Sequence, residues 1–262
     1  MTGPDRSSAP AVAAESVHKR YDATEGTATT ALVDLSFTVE PGEFVTVVGP
    51  SGCGKTTLVR LVGGLEAPTG GRILVDGETV TGPDPDRAMV FQEYALFPWL
   101  TVRENVAFGL VERGMPEGPR SERVRTMLEL VGLEERADAY PAELSGGMKQ
   151  RAGLARALAV DPAMLLMDEP FGSVDAQTRR CLQRELLEIW REMDKTVLFV
   201  THDIDEAVTL ADRVVVMDAD PGTVQSTISI DLERPRERTA HEFVDHVARI
   251  RDELGSPVDE RY

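Results

Sequence analysis

Gly49-Pro50-Ser51-Gly52-Cys53-Gly54-Lys55-Thr56-Thr57 is the stretch on which the fold turns. A short apolar run at 43–48 precedes it, and a helical pattern carried by Leu58, Leu61 and Val62 follows. The stretch fits G-x-x-x-x-G-K-[ST] in the strand–loop–helix context that gives this pattern its meaning. The glycines let backbone N–H groups turn toward a phosphate without interference from Cβ, and the start of the helix adds its positive dipole end. Lys55 can neutralise β- and γ-phosphate oxygens, and the Thr56 hydroxyl can ligate Mg²⁺. The plainer reading is a Gly-rich turn with a stray lysine. The chain has only four lysines, which makes coincidence in this context a poor explanation.

Further short apolar runs lie outward from the loop. One at 163–167 ends at Asp168-Glu169, one at 196–200 ends at Thr201-His202, and another covers 214–217. Alternated with helical patterns, such runs predict buried parallel strands, with ligands bound at the carboxyl ends where these polar residues fall. Asp168 is placed to hold a metal through its water shell, and Glu169 to polarise an attacking water. Taken alone, an acidic pair after a strand is more often a helix cap; beside a phosphate loop the catalytic reading prevails. Alternation at 32–39 and 72–80, the latter with a turn at Asp76-Gly77, predicts antiparallel strands. Between 98 and 158 the pattern is mostly helical, which predicts a helical insertion on an α/β core. One more amphipathic helix is expected over 239–254.

At 262 residues the chain can bury a sizeable core. No apolar stretch is long enough to span a membrane. Residues 1–14 are expected to be a flexible tail, because they lack the basic start and apolar run of a secretory signal. A net charge of −17 argues against nucleic-acid binding and against a polybasic membrane attachment, so any membrane association should come through a protein partner. The two cysteines, Cys53 and Cys181, are too few for a disulfide framework. Loop N–H groups, the helix dipole and Lys55 should lower the Cys53 pKa and make it reactive; the alternative is a small apolar residue packed under the loop. Cys181 is expected on a helix over 178–190. His241 and His246 do not share a helix face and are read as surface residues, not as a metal site.

Leu144-Ser145-Gly146-Gly147-Met148, followed by Lys149-Gln150-Arg151, narrows the reading. This stretch resembles the signature motif of ABC transporter ATPases. Physically it is a second anion site, Ser145 with glycine N–H groups at a helix start, and the resemblance implies that it faces the γ-phosphate held by another copy. Gln92, in Val90-Phe91-Gln92-Glu93, resembles the family's loop glutamine that reaches Mg²⁺ and the attacking water. Ser173-Val174-Asp175 stands where the family usually has Ala-Leu-Asp and keeps the aspartate. His202 resembles the histidine that contacts the γ-phosphate, and Tyr21 the aromatic that stacks on adenine. Several stretches look like the nitrate, sulfonate and taurine importer group: Leu96-Phe97-Pro98-Trp99-Leu100-Thr101-Val102, Arg103-Glu104-Asn105-Val106, and Met148 where most members have Gln.

The resemblance implies an α/β P-loop NTPase core with a parallel sheet, an antiparallel β subdomain and a helical insertion at about 98–158. The ATPase domain is expected over 15–230, with a C-terminal helical tail at 231–262. It implies ATP and Mg²⁺ as ligands, the metal held by Thr56, Gln92 and Asp168, and catalysis by Glu169, His202, Gln92 and Lys55. It further implies a homodimer, a transmembrane permease partner at the cytoplasmic face of the membrane, and indirectly a substrate-binding protein. Phe97 and Trp99 either form a docking surface or are buried. The other class to weigh is a soluble ABC ATPase of the iron–sulfur assembly or repair type.

Overall fold

The computed structural model describes residues 9–22, 28–172, 174–193, 195–219 and 221–255. The chain forms two compact units, one made of residues 1–83 and 196–262, the other of 84–195.

In the first unit, strand β1 (Val12–Tyr21) pairs antiparallel with β2 (Thr29–Val39) on one side and β4 (Gly70–Val75) on the other. Strand β5 (Glu78–Thr79) closes a hairpin on β4. Its turn residues Asp76 and Gly77 both hold positive φ, 49° and 79°, as a two-residue hairpin turn with right-handed strand twist requires. The start of β1 corrects the expected tail. Val12 and Ala14 are buried, so the apolar alternation begins at residue 12 and not after 14. Residues 1–8 of that stretch lie outside the described residues.

The unit's second sheet runs β10 (Thr223–Ser229), β9 (Arg213–Asp218), β3 (Phe44–Val48), β8 (Thr196–Thr201). Strand β3 is parallel to both neighbours, while β10 is an antiparallel edge. All residues of β3 and β8 are buried, which is why these strands read as continuous apolar runs. Helix α1 (Lys55–Val62) follows β3, and helix α6 (Ile204–Leu210) follows β8.

The C-terminal helix, α7 (His241–Glu253), is not a tail. Its Phe243, Val247 and Ile250 share one core with Val48, Val214 and Val216. Burying each such side chain contributes about 1.5–3 kcal/mol. The expected boundary at 230/231 therefore cuts through a packed core, and the chain divides instead at 83/84 and 195/196.

The second unit holds parallel strands β6 (Arg87–Val90) and β7 (Met164–Asp168), with helices α2 (Val102–Glu112), α3 (Glu117–Leu130), α4 (Gly146–Ala159) and α5 (Ala176–Met193). The remaining two helices, α6 (Ile204–Leu210) and α7 (His241–Glu253), complete the first unit. Helices α2 to α4 occupy the expected insertion, within a unit that also includes β6, β7 and α5. Thr101 and Glu104 form a reciprocal capping box at the start of α2. Buried Asn105 accepts from Phe97 N at 2.8 Å and donates to the carbonyls of Phe97, Leu100 and Thr101, fixing the loop that carries Trp99. Among the described residues no helix is long and apolar enough to cross a membrane.

Candidate functional site

The first unit carries the phosphate loop. Gly52 and Gly54 hold φ of 85° and 94°, a region that costs a residue with Cβ. Gly54 caps α1 without any side-chain bond, so the helix start has no side-chain acceptor of its own. The loop is held from below. A Cβ at Gly49 would stand 2.6 Å from Cys53 Sγ, and one at Gly54 would stand 2.6 Å from Leu32 Cδ2. Lys55 is buried, and its Nζ donates to Gly49 O at 2.8 Å and Pro50 O at 2.9 Å. Its ammonium thus lies inside the curve of the loop, the place from which it can reach an anion. Cys53 has no exposed surface, and burial pushes its thiol pKa up against the opposing pull of Lys55 and the loop N–H groups. That overturns the expected reactive thiol: desolvation of the thiolate outweighs the nearby positive charge.

Tyr21 and His202 belong to the same unit. Tyr21 ends β1; its hydroxyl donates to Glu66 Oε2 at 2.6 Å and lies 3.3 Å from Thr57 Oγ1, one turn into the loop's helix. Burial and the bond to Glu66 both raise its pKa. Val48 and Thr201 are register partners in adjacent parallel strands, so Gly49 and His202 leave the sheet at the same level. The turn bearing exposed His202 is braced on both sides. Thr201 Oγ1 donates to buried Glu206 at 2.6 Å and accepts from Asp203 N at 3.0 Å, while Asp203 caps α6 through Glu206 N.

Asp168, Glu169 and Gln92 belong to the second unit. Val90 and Met167 are partners in β6 and β7, and Gln92 and Glu169 each stand two residues beyond them. Asp168 is buried at the end of β7. Glu169 has φ of 44°, a left-handed conformation that costs a non-glycine residue about 1–3 kcal/mol and is typical of residues placed for function. A Cβ at Gly172 would lie 3.4 Å from both Gln92 Nε2 and Glu169 O, and 3.9 Å from Glu169 Oε2. The structure therefore brings Gln92 and Glu169 together around Gly172. Beyond Gln92, the carbonyls of Tyr94 and Ala95 accept from Arg156 of α4 at 3.2 and 2.6 Å. Nothing in the sequence signals that anchor, because Arg156 is one of 24 arginines.

Ser145 caps α4, its Oγ accepting from Met148 N at 3.3 Å. Gly146 and Gly147 form the first turn, and a Cβ at Gly147 would stand 2.7 Å from the Thr178 methyl of α5. Thr178 N and Gln177 N both donate to Asp175 Oδ1 at 3.1 Å. The Thr178 side chain, and then these N–H groups, hold the exposed Asp175 carboxyl below its usual pKa. Ser145 and Asp175 thus cap two helices in mutual contact. Ser145 stands eleven residues from Arg156, about 16 Å along α4. Ser173 lies outside the described residues. His241 is exposed; His246 is half-buried, so the expected surface placement holds for the first alone.

Residues 32–172 match the family model for ABC transporters. An uncharacterized ABC transporter ATP-binding protein of Methanocaldococcus jannaschii is 54% identical over 220 residues, 84% of this chain and 82% of that one. The nitrate import ATP-binding protein NrtD of Synechocystis is 51% identical over 213 residues, 80% of each chain. The solved dimeric structure of MJ0796, a bacterial ABC transporter cassette, superposes with a TM-score of 0.76 at 32% identity, covering 85% of this chain and all of that one.

Proposed function

Because the chain belongs to the ABC transporter family and is an ATP-hydrolysing subunit of it, we propose that it works as a homodimer driving import of nitrate or a related small solute. The observation that carries this reading is the phosphate loop, with two left-handed glycines and the buried ammonium of Lys55 inside its curve. Loop N–H groups and Lys55 bind the β- and γ-phosphates. Thr56 and Asp168 offer the hard oxygen donors that Mg²⁺ takes, and Gln92 adds an amide oxygen. Bound Mg²⁺ would neutralise charge on the transferred phosphoryl group. Glu169 orients the attacking water and accepts its proton, and His202 steadies the γ-phosphate. Ser145 with its helix start serves the nucleotide of the second copy.

Coupling to a permease falls to the second unit. Trp99 is 69% exposed beside partly exposed Phe108 and Val111, and these residues line a groove of about 460 Å³ between α2 and α3. Phe97, half-buried, packs at a tilt against Trp99, with ring centres 5.6 Å apart, and against Phe108 at 4.5 Å. An exposed aromatic patch on a rigid loop suits a membrane subunit's helix, which would place the chain at the cytoplasmic face of the membrane. The relative named for nitrate import favours this over a soluble ABC ATPase. Affinity isolation of the tagged chain from detergent-solubilised membranes of its source tests the import reading. A co-purifying permease is expected; recovery with iron–sulfur assembly proteins alone would overturn it.

A further inference from the structure

Glu66 lies just past α1, its backbone N bonded to Arg60 O, and both of its carboxylate oxygens are engaged. Oε2 accepts the Tyr21 hydroxyl at 2.6 Å and pairs with Lys19 Nζ at 3.0 Å; Oε1 lies 3.5 Å from Arg60. Burial works against the charge, but the bonds from Tyr21 and Lys19 outweigh it and hold the Glu66 pKa below its usual value. Lys19 is itself fixed by donating to Ala67 O at 2.9 Å, and its ammonium sits 4.9 Å over the centre of the Tyr21 ring. One ring face is thus covered by an anchored cation and the hydroxyl is tied to two residues, yet Tyr21 remains 37% exposed. A ring held at its edge and on one face, and still partly exposed, offers its remaining surface to a flat partner. Thr57, which also meets the hydroxyl, follows directly on the Lys55-Thr56 pair of the phosphate loop.

We propose that Glu66 is a positioning residue that fixes the Tyr21 ring as a platform for the purine base of the nucleotide. This rests on the reading that the loop binds ATP. Glu66 touches no part of the nucleotide; it acts by removing the freedom the tyrosine would otherwise lose on binding. Stacking of a base on an aromatic side chain contributes about five- to a hundredfold in affinity, and misorienting the ring forfeits part of that.

Calorimetric titration with ATP and with inorganic tripolyphosphate, which has no base, separates platform from loop. Tyr21→Ala should weaken ATP binding by about tenfold or more, and Glu66→Ala by about three- to tenfold. Glu66→Gln, which keeps an acceptor for the hydroxyl, should retain most of the affinity. Tripolyphosphate should bind all variants within about twofold of the native chain, which also reports an intact loop. In the Tyr21→Ala background, Glu66→Ala should cost nothing further. Equal losses for ATP and tripolyphosphate, or full additivity of the two substitutions, would overturn the proposal. A native chain that binds neither ligand would overturn the nucleotide reading beneath it.

Discussion

A thiol beside a lysine and at the head of a helix has several influences pulling its pKa down, yet burial pushes the Cys53 thiol up. The side chain has no exposed surface and lies under Gly49, where a Cβ would collide with it, so the charged form would have to shed its water. It packs as a small apolar residue. Treatment of the native chain with N-ethylmaleimide should therefore leave ATP hydrolysis intact and place the adduct on the partly exposed Cys181, whose thiol donates to Glu185 at 3.3 Å. Peptide mapping by mass spectrometry checks this, and an adduct on Cys53 with loss of activity would restore the reactive-thiol reading. Glu169 shows the opposite balance. Its left-handed φ is a local cost that the surrounding strand end and Gly172 turn sustain, with Gly172 N donating back to Glu169 O at 3.1 Å.

At the level of elements, two kinds of strand were legible. Strands β3, β7, β8 and β9, buried on both faces, read as short apolar runs, with a polar motif at the ends of the first three, while β2 and the β4–β5 hairpin read as the alternation at 32–39 and 72–80. Strand β1 was hidden because its outer half, Glu15 and Lys19 included, is polar and its start merges with an Ala- and Pro-rich stretch. The C-terminal helix was visible as a helix, but its burial was not, since the partner surface on Ala207 and Val208 is far away in sequence. The site residues were legible because their spacing carries chemistry. Two of their supports, Arg156 and Glu66, act through contacts distant in sequence that no local pattern records. Gly147 was legible as part of an anion-binding motif, but its structural demand is different. A Cβ there meets the methyl of Thr178, a β-branched side chain with little freedom to yield. Gly147→Ala should push α4 from α5 and destabilise by about 1–3 kcal/mol, seen as a lower Tm. Thr178→Ala in the same chain should restore most of the loss. If it does not, the contact is not what requires glycine.

For the whole molecule, charge bears on the proposed homodimer. Each chain carries −17, and bound nucleotide adds more negative charge, so association of two copies would work against long-range repulsion. In the proposed dimer, closure would then rest on short-range contacts, the phosphates of one copy against the Ser145 helix start of the other. A chain unable to hydrolyse its nucleotide isolates this balance. Glu169→Gln should cut turnover on the order of a hundredfold or more while preserving ATP affinity, since the loop is untouched. With MgATP it should accumulate as a dimer on size-exclusion chromatography. Because the opposing force is screened over about 10 Å at 0.1 M salt and about 3 Å at 1 M, the dimer fraction should rise as salt is added. Surface ion pairs between copies would give the reverse trend, since their attraction is weakened by the same screening. A dimer that dissociates with rising salt would show that specific ion pairs across the interface outweigh the net repulsion. A variant that stays monomeric with MgATP at every salt concentration would remove the homodimer from the mechanism.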